Sequence, residues 1–282
     1  MRTLPALLLL ALAPAGTHAT TATDLFGLLA SDQVHLSPTG TGIHAGESIR
    51  VTVRNTSGKA LSASIPPGWV FNSVNEQVQD LIVVREEVFV LAPGASKTIT
   101  CRAFCTQGNL RGPREGEPYT PGSLGSPGLV ELAQAVDRAP YGDDLVQSAV
   151  WTLSNGYSIA GMGALDSTAA DTLRYVVSRL SGQAPPRYGM RFLSDDISVC
   201  TGRPEMIERR FTITVAVPSE ISAVVLDRQG QVWYVFEDHT LIRPGTHRYQ
   251  FQLPVADWPS GQYAIHVWTT DRAGAHRLPF RL

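Results

Sequence analysis

The chain has 282 residues, 43% of them hydrophobic and 8% aromatic, with 23 Lys and Arg against 25 Asp and Glu. This composition excludes a disordered chain, and a net charge of -2 supplies no basic surplus of the kind that draws a protein to nucleic acid or an anionic membrane. The length fits about two domains of ordinary size.

The N-terminus has the layout of a secretory signal peptide. Met1-Arg2 is a charged start, residues 4–15 are apolar, and Thr17-His18-Ala19 offers a small-residue cleavage site. Residues 1–19 are therefore expected to be removed on export. The apolar run is shorter than the roughly 20 residues of a bilayer span, and no later segment is long and apolar enough, so no transmembrane segment is expected. The destination is extracellular or the outer cell surface, with the periplasm as the alternative.

Residues 20–127 read as a β-rich region. A short amphipathic stretch at 24–31 precedes Ser48-Ile49-Arg50-Val51-Thr52-Val53, which alternates apolar and polar. Short apolar runs at 81–84 and 88–91, and the Pro93-Gly94 turn, suggest an antiparallel sandwich. The Gly- and Pro-rich stretch 107–127 reads as a loop. Thr98-Ile99-Thr100-Cys101-Arg102-Ala103-Phe104-Cys105 has strand character, which sets Cys101 and Cys105 about 13 Å apart, beyond disulfide reach. With three cysteines in the mature chain, Cys200 is the expected partner of Cys101 or Cys105, and the remaining cysteine is left over.

Residues 128–203 read as a helical insert and connector packed on that region. Leu129, Leu132 and Val136 share one helix face; Leu145, Val146, Ala149, Val150 and Leu153 share a second; Leu173, Val176, Val177 and Leu180 share a third. Asp143 and Asp166 stand at N-cap positions, and Gly156 and Gly182 where helices stop. Trp151 falls outside the apolar arc of its helix, which implies a second packing partner.

Residues 204–282 alternate cleanly: Phe211, Ile213, Val215 and Val217, then Tyr249, Phe251 and Leu253, then Tyr263, Ile265 and Val267, then Leu278 and Phe280. Asp227-Arg228-Gln229-Gly230 and Asp271-Arg272-Ala273-Gly274 are hairpin turn signals. A small Ig-like sandwich follows, and the fold class is mainly β with a helical insert. The Asp227 turn, Pro244-Gly245-Thr246-His247, Trp258-Pro259-Ser260-Gly261-Gln262-Tyr263 and the terminal strand resemble the C-terminal sorting domains of the type IX secretion system of Bacteroidota. That resemblance implies contact with the type IX secretion machinery and delivery to the cell surface, where a surface component or glycan would be the ligand.

Local catalytic motifs are lacking. There is no Gly-x-Ser-x-Gly elbow, no His-Glu-x-x-His and no phosphate-binding loop, so no catalytic residue, metal or cofactor is assigned. His35 and His44 have no acidic or nucleophilic motif beside them. Asp143-Asp144 and Asp195-Asp196 lack the spacing of a calcium loop. An alternative enzyme class is a carbohydrate-active protein with carboxylates distant in sequence, for which Glu131, Asp137, Asp143 and Asp144 are the places to look.

One constellation has a defined chemistry. Ala103-Phe104-Cys105 and Val146-Gln147-Ser148-Ala149-Val150-Trp151 resemble the two halves of the signature of bacterial thioester domains. The resemblance implies an internal thioester between Cys105 and Gln147, opened by a nucleophile on a target, and hence a covalent adhesin. The covalent adhesin is the alternative; the leading reading is an exported, non-catalytic surface protein in which Cys105 is bonded to Cys200, Gln147 is hydrogen-bonded to backbone groups and Trp151 fills a gap between helix and sheet.

Overall fold

The computed structural model describes residues 23–162, 168–270 and 275–282. The expected signal peptide, the Asp166 cap and the turn at 271–274 lie outside the described residues. Strand β1 (Thr23–Asp24) leads into helix α1 (Leu25–Ala30), which buries Leu25 and Leu28, one turn apart. Strands β2 (Val34–Thr41) and β3 (Ala45–Asn55) form an antiparallel pair in which Val34, Leu36, Ile49, Val51 and Val53 point inward. Four short strands follow, β4 (Leu61–Ile65), β5 (Trp69–Ser73), β6 (Leu81–Val83) and β7 (Glu87–Leu91), and then the longer β8 (Ser96–Cys105).

The segment read as a loop contains a strand, β9 (Glu115–Leu124). Its glycines and prolines fit an irregular strand: the register shifts in its pairings with both β2 and β5. At Gly122 an added Cβ would lie 2.5 Å from the Val70 carbonyl oxygen, so glycine permits the close approach. β9 closes a six-stranded antiparallel barrel of order β2-β3-β8-β6-β5-β9, while β1, β4 and β7 form a separate small sheet. The fold is thus mainly β with a helical insert, and the strands expected to make an N-terminal sandwich close into a barrel.

Three helices cover one side of it: α2 (Pro127–Asp137), α3 (Asp143–Asn155) and α4 (Thr168–Ser181), with a 3-10 turn at Ile159–Gly161. Leu132, Val136, Val146, Ala149, Val150, Leu173 and Val177 pack against Ile82, Val84 and Phe104 of the barrel wall. Trp151 belongs to the barrel's own core, so α3 packs on two fronts, as the stray Trp in its sequence implied. α3 ends at Gly156 in the left-handed region.

The N-cap of α3 is Gly142; Asp143 is instead its first residue and has a different task. Arg102 of β8 donates from Nε and Nη2 to Asp143 Oδ1 at 3.0 and 2.7 Å, and from Nη2 to the Tyr141 carbonyl at 2.6 Å. This clamp fixes the start of α3 on β8, and the carboxylate also meets the positive end of the helix dipole. Opposite it, Gly46 sits at φ 90° with Asp143 Oδ2 2.6 Å from where a Cβ would stand.

The C-terminal unit is a sandwich of two sheets. One contains β10 (Gly189–Phe192), β11 (Pro204–Val215) and β14 (Gly245–Pro254) in the order β10-β11-β14. The other contains β12 (Ser219–Asp227), β13 (Val232–Ile242), β15 (Gln262–Thr269) and β16 (His276–Arg281) in the order β13-β12-β15-β16. Ile213, Val215, Ile221, Val225, Phe251, Ile265 and Val267 fill a core of their own. The boundary expected between residues 203 and 204 falls between two strands of one sheet, because β10 pairs with β11. Among the described residues no helix is long and apolar enough to cross a membrane.

The geometry at Gly46 makes a stability prediction. Gly46→Ala adds a Cβ at an unfavourable φ and pushes on a carboxylate that cannot move without leaving Arg102, so it should cost about 1–3 kcal/mol. In a thermal-unfolding double-mutant cycle with Asp143→Ala, the two losses should be clearly less than additive. Full additivity would show that the two positions do not communicate.

Candidate functional site

The last residues of β8 are buried on both faces. Cys101, Ala103 and Cys105 point into the barrel core, while Phe104 points out into the helical layer. The α3 helix therefore delivers its side chains directly onto the end of β8. Gln147 is 2% exposed and Cys105 is fully buried.

The two sequence halves meet. Gln147 Nε2 donates to the Cys105 carbonyl at 2.7 Å, and Gln147 Oε1 accepts from the Cys105 N–H at 3.1 Å. The same N–H also reaches the His44 carbonyl at 3.2 Å. One turn further along α3, Trp151 donates its indole N–H to Gln79 Oε1 at 3.2 Å. The expected gap-filling place of Trp151 is thus at the end of the barrel, with its ring parallel to that of His44 at 6.4 Å.

Around this contact is a polar network with no counterpart in the sequence reading. Gln79, fully buried, also accepts the Gln107 N–H at 3.0 Å and donates to the Leu110 carbonyl at 2.9 Å; its own carbonyl accepts the Tyr119 hydroxyl at 3.0 Å. Asp80 accepts the Ser73 N–H at 2.8 Å and the Gln107 side-chain amide at 2.7 Å. Gln79 and Asp80 lie in a polar stretch that reads as surface, and pairing of Leu81 with Cys105 is what carries them inside. Burial, followed by the nearby Asp80 charge, pushes the Cys105 thiol far above its ordinary range. It is a neutral thiol and no ready thiolate nucleophile.

The expected disulfide is not formed. Cys101, Cys105 and Cys200 are all free and buried. The strand spacing separates Cys101 from Cys105 as expected. Cys200 is held by its main chain, its N–H donating to the Gly108 carbonyl at 2.9 Å and its carbonyl accepting the Tyr157 hydroxyl at 2.9 Å. Cys200 is docked on the barrel by these backbone hydrogen bonds, and its side chain is buried in the same core as Cys101 and Cys105 without a bridge to either.

Three of the four carboxylates considered for a glycosidase pair are engaged elsewhere. Glu131 pairs with Arg179, Asp137 accepts the Glu86 N–H at 3.1 Å, Asp143 holds Arg102, and Asp144 is exposed in the first turn of α3. Asp195 closes its own turn by accepting the N–H groups of Ile197 and Ser198, and these hydrogen bonds hold its pKa below the usual value. Among the described residues no three His, Cys, Asp or Glu side chains group as a metal site. No family model matches the chain, and no curated protein matches it.

Cys101 gives a pH prediction. Burial raises its pKa to about 12, above the roughly 8.5 of an unfolded cysteine. The unfolded chain therefore loses this proton first, and the contribution of Cys101 to stability is complete below about pH 8 and declines as pH rises toward 12. By pH 10 the loss should be about 2 kcal/mol. Urea midpoints of wild type and Cys101→Ala at pH 7 and pH 10 test this: the wild type should lose more stability than the variant, and equal losses would refute it.

Proposed function

We propose that this chain is an exported surface-binding protein whose barrel and helices hold an internal thioester between Cys105 and Gln147. The observation that carries the reading is the two-point contact of the Gln147 carboxamide with the main chain of Cys105. It brings together two residues 42 apart that the sequence motifs single out.

The contact supports amide-to-thioester exchange by holding the Gln147 carboxamide against Cys105. Sγ of Cys105 attacks Cδ of Gln147; the thiol proton passes to Nε2, the C–N bond breaks, and ammonia leaves. The Cys105 N–H, already on Oε1, is placed to stabilise the oxyanion that forms at that oxygen. The bond from Nε2 to the Cys105 carbonyl orients the departing nitrogen. Burial supports the reading in a second way, because a thioester shielded from water resists hydrolysis until a nucleophile enters. An amine on the target then attacks Cδ, forms an amide, and returns the thiol of Cys105 with a proton.

The purified wild-type chain should be lighter than its sequence mass by one ammonia beyond any signal-peptide loss, and Cys105→Ala and Gln147→Ala should each show full mass. Methylamine should add to Gln147 and raise the count of reactive thiols by one per chain. A full-mass wild type with no adduct would reject the thioester and leave Gln147 as a clamp on the β8 backbone.

A second reading concerns the C-terminal sandwich. Its separate core favours an autonomous unit, in keeping with a sorting module recognised by the type IX secretion machinery. Because β10 belongs to it, the relevant deletion is 188–282 rather than 204–282. The deleted chain should accumulate in the periplasm; its appearance on the cell surface at the normal level would sink the sorting role.

A further inference from the structure

A cavity of about 430 Å³ lies along edge strand β16, lined among others by Tyr188, Arg228, Tyr263, Arg277, Phe280 and Arg281. Arg277 and Arg281 are four residues apart, so they project from one face of β16 with their Cα atoms about 13 Å apart. Between them stands Pro279, paired with the small Ala264 of β15, which leaves a trough between the two guanidinium groups. Arg228 joins them from the β12–β13 turn.

The three arginines are exposed, and among the described residues none has a carboxylate or side-chain hydrogen-bond partner. The carboxylate in the lining, Asp227, is turned to its own hairpin. It accepts the N–H groups of Gln229 and Gln231 and the Trp233 indole N–H, each at 2.9 Å, and these bonds hold its pKa low. It is thus not available to neutralise the arginines by direct pairing. Guanidinium groups left in this state match carboxylate or sulfate oxygens in a two-toothed geometry.

An edge strand usually invites an added peptide strand, but β16 is poorly made for that. Pro279 has no N–H, and the Arg281 N–H points to the Tyr188 hydroxyl at 3.5 Å. Recognition must then run through side chains, with a half-buried tyrosine ring beside the cations. That combination suits a sugar ring bearing an acidic group better than an extended acidic peptide.

We infer that this trough is a binding site for an acidic polysaccharide carrying carboxylate or sulfate groups, separate from the Cys105–Gln147 pair. The test is affinity electrophoresis of the full chain in gels containing polygalacturonate, dextran sulfate, neutral dextran or polyglutamate. Retardation is expected with polygalacturonate and dextran sulfate, less with polyglutamate at matched charge, and none with neutral dextran. Arg277→Gln with Arg281→Gln, at surface positions that should leave the unfolding temperature unchanged, should weaken binding about tenfold or more. The Cys105→Ala chain should bind like wild type, which separates this site from the thioester. Absence of binding to both acidic polysaccharides, binding unaffected by the paired arginine substitutions, or polyglutamate binding as tight as the polysaccharides would overturn the inference.

Discussion

The double burial of β8 near its end is the constraint from which the rest of the barrel and helix unit follows. A strand inside a closed barrel normally shows one face to the core and one to water, and its polar backbone is satisfied by its neighbours. Here α3 covers the outer face as well, and the final residue, Cys105, pairs with Leu81 of β6 while the register with β3 ends one residue earlier, at Phe104. The Cys105 N–H already reaches the His44 carbonyl, and Gln147 adds a second acceptor for it while donating to the buried Cys105 carbonyl. Arg102 and Gly46 are the corresponding devices at the other end of the contact, fixing where α3 begins so that its second turn falls on Cys105.

This arrangement ties α3 to the end of β8 through a single side chain. A carboxamide chosen only for hydrogen bonding could be replaced by other buried polar groups. Here the carboxamide lies against the backbone of Cys105, with that residue's own N–H on its oxygen and its carbonyl on the amide nitrogen. The thiol of that cysteine sits in the barrel core, where burial holds it in the neutral form.

The periodic parts of the fold were legible in the sequence. Ile49, Val51 and Val53 alternate because one face of β3 is core, and Val146, Ala149 and Val150 recur at helical spacing because they cover Phe104. Cys105 and Gln147 could be singled out as a pair, and the odd placement of Trp151 on its helix pointed to the second surface that it meets. What was hidden depended on long-range closure. β9 is rich in glycine and proline because it pairs irregularly on both sides, so its local signal is that of a loop. Gln79 and Asp80 look like solvent-facing residues until the β6–β8 pairing carries them into the barrel end. Cysteine counting suggested a bridge for Cys200, whereas its docking is made by main-chain groups that leave no mark in the sequence.

The route of the chain between the two units has a mechanical consequence. After entering the sandwich at β10, the chain goes back to the barrel, where the Cys200 N–H is fixed on Gly108 and Ser198 bonds the Asn109 carbonyl at 3.2 Å, before it re-enters at β11. Phe192 presses on Gly161 at the same joint, where a Cβ would lie 2.3 Å from its ring. A linker crossed once can swivel by turning a few torsions. A joint crossed three times, and pinned in the middle, must break hydrogen bonds before it bends, so a pull on the sandwich reaches the barrel as a push or a tug on a stiff arm rather than being lost in slack.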